Sequence, residues 1–207
     1  MSMTSVRPLR PAPPKEASSL HGRAMDNLAF IRNTMEAAGS FTAVSGWGMV
    51  AIGVLAIAVA IAASQSPTET GALNIWLASA VLSPLLMMWM MVRKARRAKM
   101  PLLSGPGRKF VLSFSPPMMV GALLTFVLYR AGLVEAIPGV WLLLYGTAVV
   151  AGGAFSVKIV PVMGICFMAA GVIALFSPVS WSDWILGAAF GGLHIAFGIP
   201  IVRSHGG

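Results

Sequence analysis

Six long apolar segments alternate with short polar segments along this chain of 207 residues. A membrane-spanning helix needs about 20 mostly apolar residues, and each segment is close to that length. The pattern therefore predicts an all-α membrane protein with six transmembrane helices in one domain over residues 44–203. The predicted spans cover residues 44–63, 72–92, 110–129, 138–155, 159–177 and 184–202.

The region before the first span has a different composition. Residues 1–18 are rich in proline and basic residues and have little apolar surface to bury, which predicts a disordered tail. Over residues 19–39, apolar positions such as Leu28, Ile31 and Met35 recur at helical spacing. This pattern predicts a cytoplasmic amphipathic helix that lies on the membrane surface or docks on the bundle.

The basic residues are distributed asymmetrically between the two predicted sides of the membrane. Of the 15 Lys and Arg residues, all except Arg130 fall on one side, whereas Glu69, Glu135 and Asp183 fall on the other. Basic residues near span ends stay cytoplasmic. We therefore expect a bacterial inner (plasma) membrane protein with both termini cytoplasmic. The net charge of +9 is explained by this topology, so nucleic acid is not an expected partner.

A basic cluster follows the second span directly. Such a cluster can bind anionic lipid head groups, although it also serves to orient the chain. Its members are Arg93, Lys94, Arg96, Arg97 and Lys99.

His194 is the ionisable residue placed deepest in a predicted span. Gly187, Gly191 and Gly198 share its helix face, and small residues let another helix approach closely. His194 is therefore expected to point at a neighbouring helix. Two roles stay open: a neutral, structural histidine with one hydrogen bond, or a proton relay, ligand contact or cofactor ligand. Other polar residues of this candidate intramembrane site are Tyr145, Thr147 and Ser83.

Prolines and tryptophans add further expectations. Pro84, Pro116 and Pro117 lie within predicted spans, where proline can kink a helix or line a cavity; the last two can also mark a late helix start. Tryptophans near the less basic span ends are expected to be interface anchors. These are Trp76, Trp141, Trp181 and Trp184.

A faint internal repeat relates the first and last predicted hairpins. Residues 53–67 and 164–178 share the same Gly-to-Ser-Pro spacing, so spans 1–2 and 5–6 are interpreted as copies. The segments "WLLLYGTAVVAGGAF", "MGICFMAAGVIALFSP" and "GGLHIAFG" resemble small bacterial six-span proteins that remain uncharacterised. The rhythm of glycine, apolar run and proline is also similar to the acid-resistance membrane protein family. Neither resemblance implies catalytic residues.

The functional prediction follows from the residues that catalysis and ligand binding require. The sequence has no nucleophile–base pair, carboxylate pair, phosphate-binding loop or Cys/His metal spacing, so neither a cofactor nor a metal is expected. We expect a non-enzymatic accessory, stress-related or regulatory membrane subunit. The alternatives are a small transporter or channel with a polar path near His194, and an intramembrane enzyme. The expected partners are the bilayer, anionic head groups, and a membrane protein or second copy of the chain.

Overall fold

A computed structural model describes residues 20–38, 44–98 and 105–205 of the chain. Throughout this part the regular structure is helical, and six helices are long and apolar enough to cross a membrane. The predicted fold class, an all-α bundle with six spans, is confirmed. The helices are α1 Leu20–Ala38, α2 Gly46–Ser64, α3 Glu69–Ala98, α4 Gly105–Ala131, α5 Ile137–Gly153, α6 Ile159–Phe176, α7 Ser182–Leu186 and α8 His194–His205.

The last span is one continuous helix with three parts. A π-helical segment, Gly187–Leu193, joins α7 to α8. We call the whole of Ser182–His205 the last helix. Single 3₁₀ turns, Val134–Ala136 and Val179–Trp181, precede α5 and α7.

The first helix belongs to a compact unit separate from the rest of the chain. α1 occupies most of the range where the sequence predicts an amphipathic helix, and Leu28, Ile31 and Met35 are exposed on it. Its attachment to a membrane surface stays a prediction. The tail over residues 1–18 lies outside the described residues.

Local hydrogen bonds fix several helix ends. Ser45 caps α2, because its Oγ accepts a hydrogen bond from the Gly48 N–H at 3.1 Å. Thr68 similarly accepts from the Gly71 N–H at 3.0 Å, at the start of α3. α4 is followed by Gly132, whose φ of 73° is a left-handed conformation that favours glycine.

The second and third spans are longer than the sequence predicted. α3 continues through the basic residues to Ala98, and α4 already begins at Gly105. Lys and Arg are good helix formers, so a helix can continue after its apolar residues end. Pro116 and Pro117 both lie inside α4, and the idea that they mark a late helix start is therefore wrong.

Glycines bring two pairs of antiparallel helices into close contact. Where α2 meets the last helix, a Cβ added to Gly53 would lie 2.8 Å from the Gly191 carbonyl oxygen. Where α5 meets α6, a Cβ on Gly146 would lie 2.6 Å from the Gly164 carbonyl oxygen. Both distances are too short for a real Cβ, so only glycine permits this backbone approach.

This packing does not reproduce the hairpin repeat suggested by the sequence. α2 and α3 pack closely, whereas α6 makes only sparse contacts along the last helix. The last helix packs on α2 instead, and α6 packs on α5. The physical reason is the placement of glycine: the matching glycine faces lie between α2 and the last helix and between α5 and α6, rather than between α6 and the last helix.

Candidate functional site

The candidate intramembrane site forms where the π-helical segment meets α8. His194 is the first residue of α8 and is only 3% exposed. Its backbone N–H donates to the Gly191 carbonyl, and its ring reaches back to the carbonyl of Phe190. A π-helical turn inside a helix frequently occurs at a functional site. Here the π-helical segment places the imidazole of His194 next to the Phe190 carbonyl of the same helix and directs it towards α5.

Both ring nitrogens of His194 have hydrogen-bond partners. Nδ1 lies 2.7 Å from the Phe190 carbonyl oxygen, and Nε2 lies 2.7 Å from the Tyr145 hydroxyl on α5. A carbonyl only accepts, so Nδ1 carries a proton and donates. In the neutral ring Nε2 is then the acceptor, and the Tyr145 O–H donates to it. The geometry thus selects one tautomer.

Aromatic rings surround this hydrogen-bonded pair. The ring centroid of His194 lies 5.2 Å from that of Phe167 and 6.2 Å from that of Phe190, and Tyr145 lies 4.8 Å from Phe167. Phe114 contacts Tyr145 edge-on at 6.1 Å. A charged imidazole is costly to bury unless it is paired, and this apolar packing therefore favours the neutral histidine.

The structure brings only part of the predicted polar set together. Tyr145 is hydrogen bonded to His194, but Thr147 faces outward and its Oγ1 donates to the Leu143 carbonyl at 2.9 Å. Ser83 is half-buried on α3. Because Tyr145 and Phe190 occupy both ring nitrogens, neither Thr147 nor Ser83 is a partner of His194. Thr147 follows Tyr145 by two residues, which puts it on another side of the helix.

The glycine face predicted on the last helix lies against α2. A Cβ on Gly187 would be 2.6 Å from Cβ of Ala60, and one on Gly191 would be 2.5 Å from Cγ1 of Ile57. One on Gly198 would be 3.0 Å from the Gly46 carbonyl oxygen. His194 itself points towards α5 and α6, so the two faces of the last helix have different partners.

The acidic ends of the spans line a partly open cavity of about 100 Å³. Its wall includes the three carboxylates that the sequence placed on this side, Glu69, Glu135 and Asp183. Its remaining lining residues are Ala72, Leu73, Trp76, Val134, Ile137, Pro138, Trp141, Val179, Ser182 and Leu186. We call this space the acidic-end cavity. Trp141 and Leu186 each lie four residues, about one turn, before Tyr145 and Phe190.

Two tryptophans predicted as interface anchors face inward instead. Trp76 is 5% exposed, and its Nε1 donates to Oδ1 of Asp183 at 2.7 Å. Trp141 donates to Oγ1 of Thr125 at 2.7 Å. A buried indole N–H needs an acceptor, and each finds one on a neighbouring helix. Trp181 and Trp184 are more than half exposed, as an interface anchor requires.

The basic cluster after the second span is only partly available to lipid. Arg93, Arg96 and Arg97 are exposed, and the Arg93 guanidinium lies 4.8 Å from the centre of the Trp89 ring. Lys94 donates from Nζ to the Val44 carbonyl at 3.1 Å, which ties α3 to the start of α2. Lys99 lies outside the described residues.

Sequence reasoning missed the π-helical segment and the aromatic shell around His194. The adjacent Gly191 and Gly192 are a signal for an irregular helix, because glycine is a poor helix former. Phe167 and Phe190 carry no signal of their own in an apolar chain. Within the described residues, every buried side-chain nitrogen or oxygen has a hydrogen-bond partner, and no group of three His, Cys, Asp or Glu side chains is arranged to hold a metal ion.

The fold and the site define the class: the chain is an integral membrane protein with six helices that fit membrane spans. No protein-family model, curated protein or solved structure matches it.

Proposed function

We propose that the chain is a non-enzymatic accessory, stress-related or regulatory subunit of a plasma membrane, and that it acts through helix packing and its basic end. The observation that supports this most is the closed state of its deepest polar site. His194 is buried, both its nitrogens are bonded, and aromatic rings fill the space around it. A group arranged in this way stabilises a bundle and presents no open ring nitrogen to a substrate.

The orientation belongs to the same proposal. Exposed Arg93, Arg96 and Arg97 lie at one end of the spans, and carboxylates lie at the other. Basic span ends remain cytoplasmic, which supports a cytoplasmic position of both termini in a bacterial cell as part of the proposal. The resemblance of residues 141–155 and 163–178 to small bacterial six-span proteins supports this location. Anionic head groups are the lipid partners of the exposed arginines.

The test is the recovery of a partner in mild detergent. The tagged parent should copurify with one membrane protein at a fixed ratio, or with a second copy of itself. Arg96→Gln with Arg97→Gln, which changes two exposed basic residues, should weaken that recovery. Arg130→Gln, at the opposite end, is the matched control and should leave it unchanged. Recovery of the chain as a lone monomer that conducts ions or solutes in liposomes would overturn the proposal.

The acidic-end cavity favours a second candidate function, a small transporter or channel. The cavity wall carries three carboxylates and includes Trp141, one turn before Tyr145, so a path to His194 would start at these carboxylates and pass Trp141. Such a path would admit small cations, because negative side chains concentrate them. Flux of a small cation into proteoliposomes tests it: transport by the parent and its loss in Glu135→Gln with Asp183→Asn support a transporter. Equal flux in parent and empty liposomes removes this candidate.

A further inference from the structure

The six spans divide into two groups of three by their packing. One half contains α2, α3 and the last helix, with α2 in the middle. The other half contains α4, α5 and α6, with α5 in the middle. In each half the middle helix is locked to a neighbour by glycine contacts: Gly53 on Gly191 in the first, and Gly146 on Gly164 in the second. Interlocked backbones leave little freedom to slide, so each half is expected to be stiff.

The boundary between the halves, which we call the seam, is packed differently. Rings meet there: Tyr145 and Phe167 from the second half face Phe190 and His194 from the first, at centroid distances of 5.1 to 5.5 Å. The hydrogen bond from Tyr145 to Nε2 of His194 crosses the seam. By contrast, the bond of Trp76 to Asp183 lies within the first half, and the bond of Trp141 to Thr125 lies within the second.

The two ends of the seam are unlike each other. At the carboxylate end, the acidic-end cavity separates the halves, since Trp76 and Leu186 on its wall belong to one half and Trp141 to the other. Towards the basic end, Val160 of α6 and Ile201 of α8 are 4% and 2% exposed and belong to one apolar cluster. The seam thus contains a cavity at its carboxylate end and has buried apolar side chains towards its basic end.

We propose that the two halves move apart as rigid bodies at the acidic end, while the buried apolar side chains towards the basic end stay packed, with the Tyr145–His194 hydrogen bond as the latch. Rigid-body motion of packed groups about an interface is an established type of conformational change. Opening would extend the acidic-end cavity down to His194. The proposal concerns movement and holds whether the chain is a subunit or a carrier.

The first test measures access to Leu186, which is 1% exposed and lies on the cavity wall. A Leu186→Cys reporter is placed in a Cys166→Ala background, which removes the one native cysteine. A water-soluble maleimide then measures its reaction rate. Tyr145→Phe keeps the ring but deletes the latch, and should raise the rate by about 3- to 10-fold, the factor that one interhelical hydrogen bond supplies.

Thr147→Val is the control, because it deletes a hydroxyl hydrogen bond of 2.9 Å that lies within α5 and outside the cavity lining. It should leave the rate unchanged. An unchanged rate in Tyr145→Phe would overturn the latch. An equal rise in both variants would also overturn it, since that indicates general loosening rather than opening of the seam.

A second measurement avoids any substitution in the cavity. Spin labels on Thr70 and Ala131, exposed near the acidic ends of α3 and α4, report the distance between the halves. Labels on Arg96 and Lys158 report the same distance at the basic end. Tyr145→Phe should lengthen or broaden the first distance distribution and leave the second unchanged. Identical distributions in parent and variant would contradict the movement.

Discussion

Replacing Gly191 with alanine should destabilise the bundle, whereas the same change at the adjacent Gly192 should not. A Cβ at Gly191 would lie 2.5 Å from Cγ1 of Ile57 and 3.2 Å from the Gly53 carbonyl oxygen. Ile57 cannot turn aside easily, because a β-branched residue in a helix has one strongly preferred rotamer. A Cβ at Gly192 would meet nothing within 4 Å.

The expected difference in melting temperature between the two variants follows from two contributions, helix preference and overpacking. Both variants gain the same helix preference of alanine over glycine, about 0.5 to 1 kcal/mol, so this term cancels in the comparison. Overpacking costs about 1 to 3 kcal/mol and acts on Gly191→Ala alone. At about 2 to 4 °C per kcal/mol for a chain of this size, Gly191→Ala should melt roughly 2 to 12 °C below Gly192→Ala.

The assay is thermal unfolding of both variants and the parent in one mild detergent, followed by circular dichroism. Gly192→Ala should melt at or slightly above the parent temperature, and Gly191→Ala should melt below it. Equal melting temperatures for the two variants would refute the steric argument. A lower melting temperature for Gly192→Ala would show that the last helix packs on α2 through a different face.

Three further results are expected. His194→Leu should lower the stability of the bundle by about 1 to 3 kcal/mol, because it leaves the buried polar partners of His194 unpaired. His194→Gln should lose less stability in the same melting assay, and equal losses in the two variants would contradict the hydrogen bonds of His194. Trp76→Phe should lower the free energy of unfolding by about 1 kcal/mol, because it removes the hydrogen-bond donor to the half-exposed Asp183. Denaturation in detergent measures this change, and an unchanged stability would count against that hydrogen bond. A reporter active only in the cytoplasm should be active within residues 104–107 and silent at Pro67, and the reverse result would invert the topology.

Much of the fold could be predicted because each membrane span requires a long apolar run, which is visible in the sequence. A run of about 20 apolar residues has few alternatives to a membrane helix, and six such runs give six spans. The ends of the helices are harder to predict from the sequence, because Arg96 and Arg97 continue α3 after its apolar residues end. Hydropathy marks where lipid contact stops, and a helix need not stop there.

The helix neighbours were harder to predict than the helices. The Gly-to-Ser-Pro spacing predicts similar first and last hairpins, but contact across the bundle depends on which glycine faces meet. In the sequence, Gly191 indicates a helix face of small residues, but it does not indicate whether α2 or α6 packs on that face. In the same way, the depth of His194 in its span predicts a hydrogen-bond partner on another helix. Which residue becomes that partner, Tyr145 rather than Thr147, depends on how the helices pack and cannot be read from the sequence.

The protonation of His194 tests the central claim most directly, that this residue is a neutral link between two helices rather than an open site. His21→Gln with His205→Gln leaves His194 as the one histidine of the three in the chain. ¹⁵N NMR of the histidine-labelled variant in lipid at about pH 7, where an ordinary histidine is close to titrating, reports each ring nitrogen separately. The structure predicts a protonated Nδ1 and an unprotonated Nε2 that accepts a hydrogen bond. A ring protonated at both nitrogens, or at Nε2 alone, would contradict it.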